Sequence, residues 1–164
     1  MEIERKFTIK ELPENLADYD SKKIVQAYLC TDPVIRIRRQ DDEYFLTYKG
    51  KGLMAREEYN LPLGADAFAH LLPKADGNII SKTRYLIPIE SPTFSPDYVP
   101  LTKPELTIEL DVFDAPFAPL IMAEVEFPDE AMANAFQMPE WFLEDVTNDP
   151  AYHNSNMSKK TFAE

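Results

Sequence analysis

Apolar and polar residues alternate with a period of two through most of the chain. That pattern predicts strands, because side chains at i and i+2 of a strand share a face. The alternation marks eight segments: 1–9, 23–30, 33–39, 43–49, 55–61, 78–89, 105–113 and 120–127. Gly, Pro, Asp and Asn separate them. The 33–39 and 43–49 segments read as a hairpin across Gln40, Asp41 and Asp42, and Gly50-Lys51-Gly52 reads as a turn. Helical spacing is confined to short stretches. Ala65, Phe68, Ala69 and Leu72 predict one helix, 13–20 a short helix or turn, and Asp129 is placed to cap a helix running to about Phe136. Pro92, Pro96, Pro100 and Pro104 exclude a central strand from 90–104, which reads as a long loop or lid. The tail from Glu140, with Trp141 and Tyr152, is expected to fold back as short helices. Short connections make the strands mostly antiparallel. The fold class expected is therefore α+β, mainly antiparallel β: an eight-stranded closed or nearly closed barrel with peripheral helices, in one domain spanning 1–164.

The polar positions are unusual in kind. Glu2, Glu4 and Lys6 share one strand face, with Ile3 and Phe7 opposite. Arg36 and Arg38 share another, as do Thr47 and Lys49, Arg56 and Glu58, Lys82 and Arg84, Glu109 and Asp111, and Glu124 and Glu126. A sheet with one solvated face also alternates, and any single pair is well explained that way. The whole set is not, because nearly every strand puts two charges on one face and the signs segregate. The strands of Glu2, Glu109 and Glu124 are acidic; those of Arg36, Lys49 and Lys82 are basic. Like charges side by side repel, so the strands that keep them are expected to hold something between them.

Composition narrows what that ligand is. Lys and Arg number 17 and Asp and Glu 29, a formal net charge of −12. This argues against bulk binding of nucleic acid or of an anionic membrane, but not against a small anion held by a local cluster of bases. Cys30 is the lone cysteine, so no intrachain disulfide forms. No stretch is long and apolar enough to span a bilayer, and no apolar signal core follows Met1, so the cytoplasm is the expected location. His70, His153 and Cys30 are too few for a typical zinc site. Clustered carboxylates suit a hard cation such as Mg2+ or Mn2+, and paired Arg and Lys suit a polyanion such as a chain of phosphates. A polyphosphate bridged to a metal uses both halves together.

These residues carry a resemblance. Glu2-Ile3-Glu4-Arg5-Lys6-Phe7 is similar to the Glu-x-Glu-x-Lys signature of the CYTH, or triphosphate tunnel metalloenzyme, superfamily. The similarity continues through Arg36-Ile37-Arg38, Lys49, Arg56-Glu57-Glu58, Lys82-Thr83-Arg84, Glu109-Leu110-Asp111 and Glu124-Val125-Glu126. The chain's small size resembles the compact bacterial inorganic triphosphatases. The resemblance implies an eight-stranded tunnel barrel that hydrolyses the terminal phosphoanhydride of a triphosphate, first among them inorganic tripolyphosphate, with Mg2+ or Mn2+. Glu2, Glu4 and Glu126 are then ligands of one metal, and Glu109, Asp111 and Glu124 hold a second or orient its waters. Glu58 does either, or pairs with Arg56. Arg36, Arg38, Lys49, Arg56, Lys82 and Arg84 contact phosphate oxygens. A catalytic lysine–tyrosine pair of compact members corresponds to Lys6 and Tyr28. Asp145 through Asn154 also resembles their C-terminal region. Many relatives carry a second lysine two residues after the signature lysine, where this chain has Thr8 and so one base fewer.

Three other readings use the same residues: an adenylyl cyclase, a thiamine or nucleoside triphosphatase, and a polyphosphate- or nucleotide-binding module without catalysis. The retained carboxylates weigh against the last, because anion capture alone is better served without them. A homodimer is left open.

Overall fold

The structure is a computed structural model and describes residues 1–162. The last two residues of the domain expected over 1–164 lie outside the described residues. The strands are β1 (Glu2–Ile9), β2 (Asp20–Thr31), β3 (Val34–Gln40), β4 (Glu43–Lys49), β5 (Ala55–Arg56), β6 (Glu58–Leu63), β7 (Asp76–Ile89), β8 (Thr93–Phe94), β9 (Leu106–Phe113), β10 (Ile121–Glu126), β11 (Phe136–Gln137) and β12 (Phe142–Asp145). Three short helices accompany them: α1 (Ala65–Leu71), α2 (Glu130–Ala135) and α3 (Asn154–Met157).

Among the described residues, ten strands form one antiparallel sheet. Its order is β12-β1-β10-β9-β7-β2-β3-β4-β6, with β5 also on β1. The chain between β5 and β6 is broken only at Glu57. Because β6 pairs with β4 while β5 pairs with β1 (Glu2 opposite Arg56, Ile3 opposite Ala55), the two ends of the sheet meet. The expected barrel is therefore present, and the strand count differs for two reasons. The wall expected at 55–61 is split at Glu57, and the tail, expected as short helices alone, also supplies β12. That strand lies along the second half of β1, with Phe7 opposite Asp145 and Ile9 opposite Phe142.

The hydrophobic core lies mainly outside the barrel wall. Outward side chains Ile3, Phe7, Ile108, Leu110 and Val125 pack beneath Met132, Ala133, Phe136 and Phe142. Phe7 meets Phe142 at a ring separation of 4.9 Å. Asp129 caps α2 by accepting a hydrogen bond from the Met132 N–H at 2.7 Å, as its position in the sequence predicts. On the far side, Ala27 and Ile37 pack beneath Phe68 of α1. Burial of this outer apolar surface supplies roughly 25 cal/mol for each Å², which leaves the inner face free to carry charge. One part of the inner face is apolar: Tyr28, Val34, Ile80, Phe113 and Met122 form a cluster with Phe117, Val146 and Met157. Val34, Ile80 and Met122 stand two residues before Arg36, Lys82 and Glu124, and Phe113 two after Asp111, so the cluster continues the charged faces by one step. Residues 90–104 form no barrel strand; Thr93–Phe94 makes only the short pair with β11. No described helix is long and apolar enough to cross a membrane.

Candidate active site inside the barrel

Strand register gathers the charged faces into one volume. Glu4 lies opposite Glu126 and Lys6 opposite Glu124. Glu124 lies opposite Glu109, and Asp111 opposite Arg84. Across the barrel, Tyr28 is opposite Arg36 and Lys49 opposite Glu58. A single cavity is lined by Glu2, Glu4, Lys6, Tyr28, Arg36, Arg38, Lys49, Arg56, Glu58, Arg84, Glu109 and Glu124. Three residues of the expected set do not line it. Lys82 and Asp111 are fully buried behind it, paired at 2.7 Å. Glu126 is exposed and shares a shallow depression at the rim with Glu109.

The two halves of the cavity differ in how their charges are met. On the acidic side the bases are paired. The Lys6 ammonium sits 3.2 Å from Glu124 and 3.9 Å from Glu4. Arg84 donates two hydrogen bonds to Asp111, at 2.7 and 2.9 Å, and a third to Glu109 at 2.5 Å. Lys49 reaches Glu2 at 2.9 Å. On the other side, Arg36, Arg38 and Arg56 make no salt bridge among the described residues. Arg38 donates only to the Gln26 side-chain oxygen, at 2.9 and 2.6 Å. Arg56 donates to the Gly50 carbonyl at 3.2 Å. The Arg36 Nε is buried with no partner. Burial, with the like charges of Arg36 and Arg84, pushes the proton affinity of Arg38 well down. A guanidinium keeps its proton regardless, so the shift is a demand for a counter-anion.

The carboxylates show the complementary demand. Burial and the neighbouring Glu124 push Glu4 up to about 7. Burial raises Glu2, with Glu58 adding to the effect. Burial also raises Glu109, and at Glu126 it acts with the charges of Glu2 and Glu109. Against the penalty of burial, Lys6 and Arg84 hold Glu124 well below the usual carboxylate range. Among the described residues no three acidic, His or Cys groups converge at coordinating distance, since Lys49 and Lys6 draw Glu2 and Glu124 toward themselves. An all-oxygen donor set short of positive charge fits a hard divalent cation.

Four polar residues of the site were given no role in the sequence reading, although the resemblance ran through His153 and Asn154. Gln26 is fully buried; its oxygen accepts from Arg38 and its amide donates to the Tyr28 hydroxyl at 3.2 Å. It stands two residues before Tyr28, so the alternation could have found it. His153, Asn154 and Ser155 close part of the cavity from the tail. Asn154 accepts from Lys82 at 3.3 Å, and His153 Nε2 donates to the Thr147 carbonyl at 3.2 Å. Strand periodicity has no access to these, because a separate segment brings them in. That segment is pinned to β1: the Lys6 N–H donates to Thr147 Oγ1 at 3.0 Å, and the Val146 N–H to the Lys6 carbonyl at 2.9 Å. Thr8, where relatives place a lysine, accepts from the Glu144 N–H at 3.2 Å.

A nearly closed antiparallel barrel, with carboxylates and guanidinium groups facing one internal cavity, defines a tunnel-type class. The chain belongs to the CYTH family, whose domain matches residues 1–158. It is 36% identical over 160 residues, 96% of each chain, to an inorganic triphosphatase of Nitrosomonas europaea. It is 31% identical over 165 residues, 98% of this chain and 95% of the relative, to an inorganic triphosphatase of Acetivibrio thermocellus. The crystal structure of the inorganic triphosphatase NE1496 superposes with a TM-score of 0.68 at 34% identity, covering 98% of this chain and 96% of the other. Triphosphatases of this family are in general metal-dependent.

Proposed function

We propose that this protein hydrolyses the terminal phosphoanhydride bond of inorganic tripolyphosphate, using a bound Mg2+ or Mn2+. The observation that carries the reading is the division of one cavity into three arginines without carboxylate partners and a set of carboxylates with raised proton affinity. Tripolyphosphate with a divalent cation answers both demands. The names of the curated relatives point to the same substrate.

Glu2, Glu4 and Glu126 would hold the metal, with Glu109 and Glu124 available to a second ion or its waters, and Glu58 beside Glu2. The metal supplies neutralisation of phosphoryl charge. Arg36, Arg38, Arg56 and Lys49 grip and orient the phosphate chain by charge-assisted hydrogen bonds. Asp111, fully engaged by Lys82 and Arg84, anchors the Arg84 guanidinium in the cavity wall, so that its charge is held in place during reaction. The Lys6 ammonium, held by Glu124 and Glu4, and the Tyr28 hydroxyl, held by Gln26, line the same cavity and stabilise charge that develops on the reacting oxygens. Water attacks the terminal phosphorus, the bridging P–O bond breaks, and diphosphate leaves. No covalent intermediate is required. The free Cys30 is consistent with a reducing compartment, the cytoplasm.

A phosphate-release screen over tripolyphosphate, thiamine triphosphate, ATP and GTP with each metal tests the reading. Tripolyphosphate is expected to give the highest kcat/KM. Chromatography of the ATP reaction separates hydrolysis from cyclisation; cyclic AMP as the main product would overturn the assignment.

A further inference from the structure

The outer face of the barrel carries a groove of about 870 Å³ that shares no lining residue with the charged cavity inside. Its floor is apolar. Ile87, Ile108 and Phe136 reach it from the outer core, and Tyr19, Ile89 and Trp141 stand half-buried around them. Glu11, Glu14, Glu90 and Glu140 are exposed at its rim. Among the described residues none of the four makes a salt bridge, and no Lys, Arg or His lines the groove.

Backbone bonds hold the walls of the groove in place. The Lys10 N–H donates to the Trp141 carbonyl at 2.9 Å, the Phe142 N–H to the Pro139 carbonyl at 3.0 Å, and the Ser95 N–H to the Ala135 carbonyl at 2.8 Å. One wall is an open strand end. Leu86, opposite Asp20, is the last residue of β7 paired with β2; among the described residues Ile87, Pro88 and Ile89 pair with β9 alone. Extended chain can lie there, on the side that β2 leaves free. The volume suits a short stretch of chain and is too small for a folded domain. A phosphate chain, or the same acidic face of a second copy, would meet like charge.

We propose that this groove docks a short extended segment of a partner protein, one in which apolar side chains alternate with Lys or Arg. The apolar side chains of such a segment share a face and cover Ile89 and Trp141. The bases, on long stems, turn to the four carboxylates at the rim. The docking is independent of what the charged cavity hydrolyses.

Trp141 is the chain's single tryptophan, so its fluorescence reports on the groove. The probe is a peptide of about six residues, alternating leucine with lysine and capped at both ends. Titrated into the wild-type protein, it is expected to shift the emission to the blue and to saturate. Glu90→Gln with Glu140→Gln is expected to weaken binding about tenfold. Glu43→Gln with Asp66→Asn removes the same charge from exposed positions outside the groove and is expected to leave binding unchanged. Circular dichroism is expected to stay native in both double variants. No saturable shift, or no greater weakening by the groove pair than by the distant pair, overturns the proposal. So does an equal response to a lysine–serine peptide, which would mark charge attraction alone, or to spermidine, which would mark a site for a small cation. A wild-type protein found dimeric by sedimentation, with Trp141 emission already blue and blind to the peptide, would overturn it in favour of a second copy.

Discussion

A buried guanidinium nitrogen with no partner costs a fold on the order of 1–3 kcal/mol, and Arg36 carries that cost at Nε. The residue is better explained by a ligand than by stability. Arg36→Met is therefore expected to lower kcat/KM for triphosphate at least tenfold while leaving the ligand-free melting temperature equal or higher. A lower melting temperature with unchanged kinetics would contradict the anion role. Glu4 makes the complementary prediction. With its proton affinity pushed up to about 7, it is protonated below that pH and must release the proton to bind a cation. Metal affinity should accordingly fall as pH drops through about 7. Calorimetric heats of metal binding at pH 6 should depend on the buffer's ionisation enthalpy, much more so than at pH 8.5. Glu4→Gln should remove the buffer dependence and the metal-dependent hydrolysis while circular dichroism stays native. At this scale the alternation made most of the site legible, because twelve of the fifteen expected residues line one cavity and all of these but Tyr28, which entered by resemblance, stand on the alternating charged faces. It could not tell depth. Lys82, Asp111 and Glu126 share faces with lining residues but lie behind the cavity or at its rim, and a period of two reports a face, not a position along it.

The elements divide by how strongly they alternate. The long walls β1, β3, β4, β7, β9 and β10 carry apolar residues outward and charges inward, and β2 turns Gln26 and Tyr28 inward, so each was visible as a strand. The break at Glu57 was not, since 55–61 alternates without interruption and the switch of partner from β1 to β4 is a tertiary event. Strand β12 was hidden for a plainer reason: of Phe142, Leu143, Glu144 and Asp145 only the first is buried. The tail closes the tunnel through backbone bonds to β1 rather than through a sequence pattern. One element-level prediction concerns β7 and β9, which are joined inside by Lys82, Asp111 and Arg84. Asp111→Ala leaves the fully buried Lys82 without a carboxylate partner and takes two of the hydrogen bonds of Arg84, which keeps Glu109. Denaturant titration should show a loss of about 3–5 kcal/mol; a loss below about 1 kcal/mol would mean that this network does not brace the wall.

At the scale of the whole molecule, an inward-charged barrel wrapped by an outward hydrophobic core reverses the usual arrangement of a small domain. The apolar packing under α1 and α2 stabilises the chain, and the interior is left to meet a ligand. Binding of metal and triphosphate should therefore stabilise the fold as a unit, by about 2.7 kcal/mol at a hundredfold excess over Kd, seen as a rise in melting temperature that neither component reproduces alone. The most direct measurement is the rate of orthophosphate release from tripolyphosphate as Mg2+ or Mn2+ is titrated into metal-free protein. The account predicts no release with chelator present and a saturable rise with metal, yielding one diphosphate for each orthophosphate. Tight binding of tripolyphosphate with no release at any concentration of either ion would contradict it.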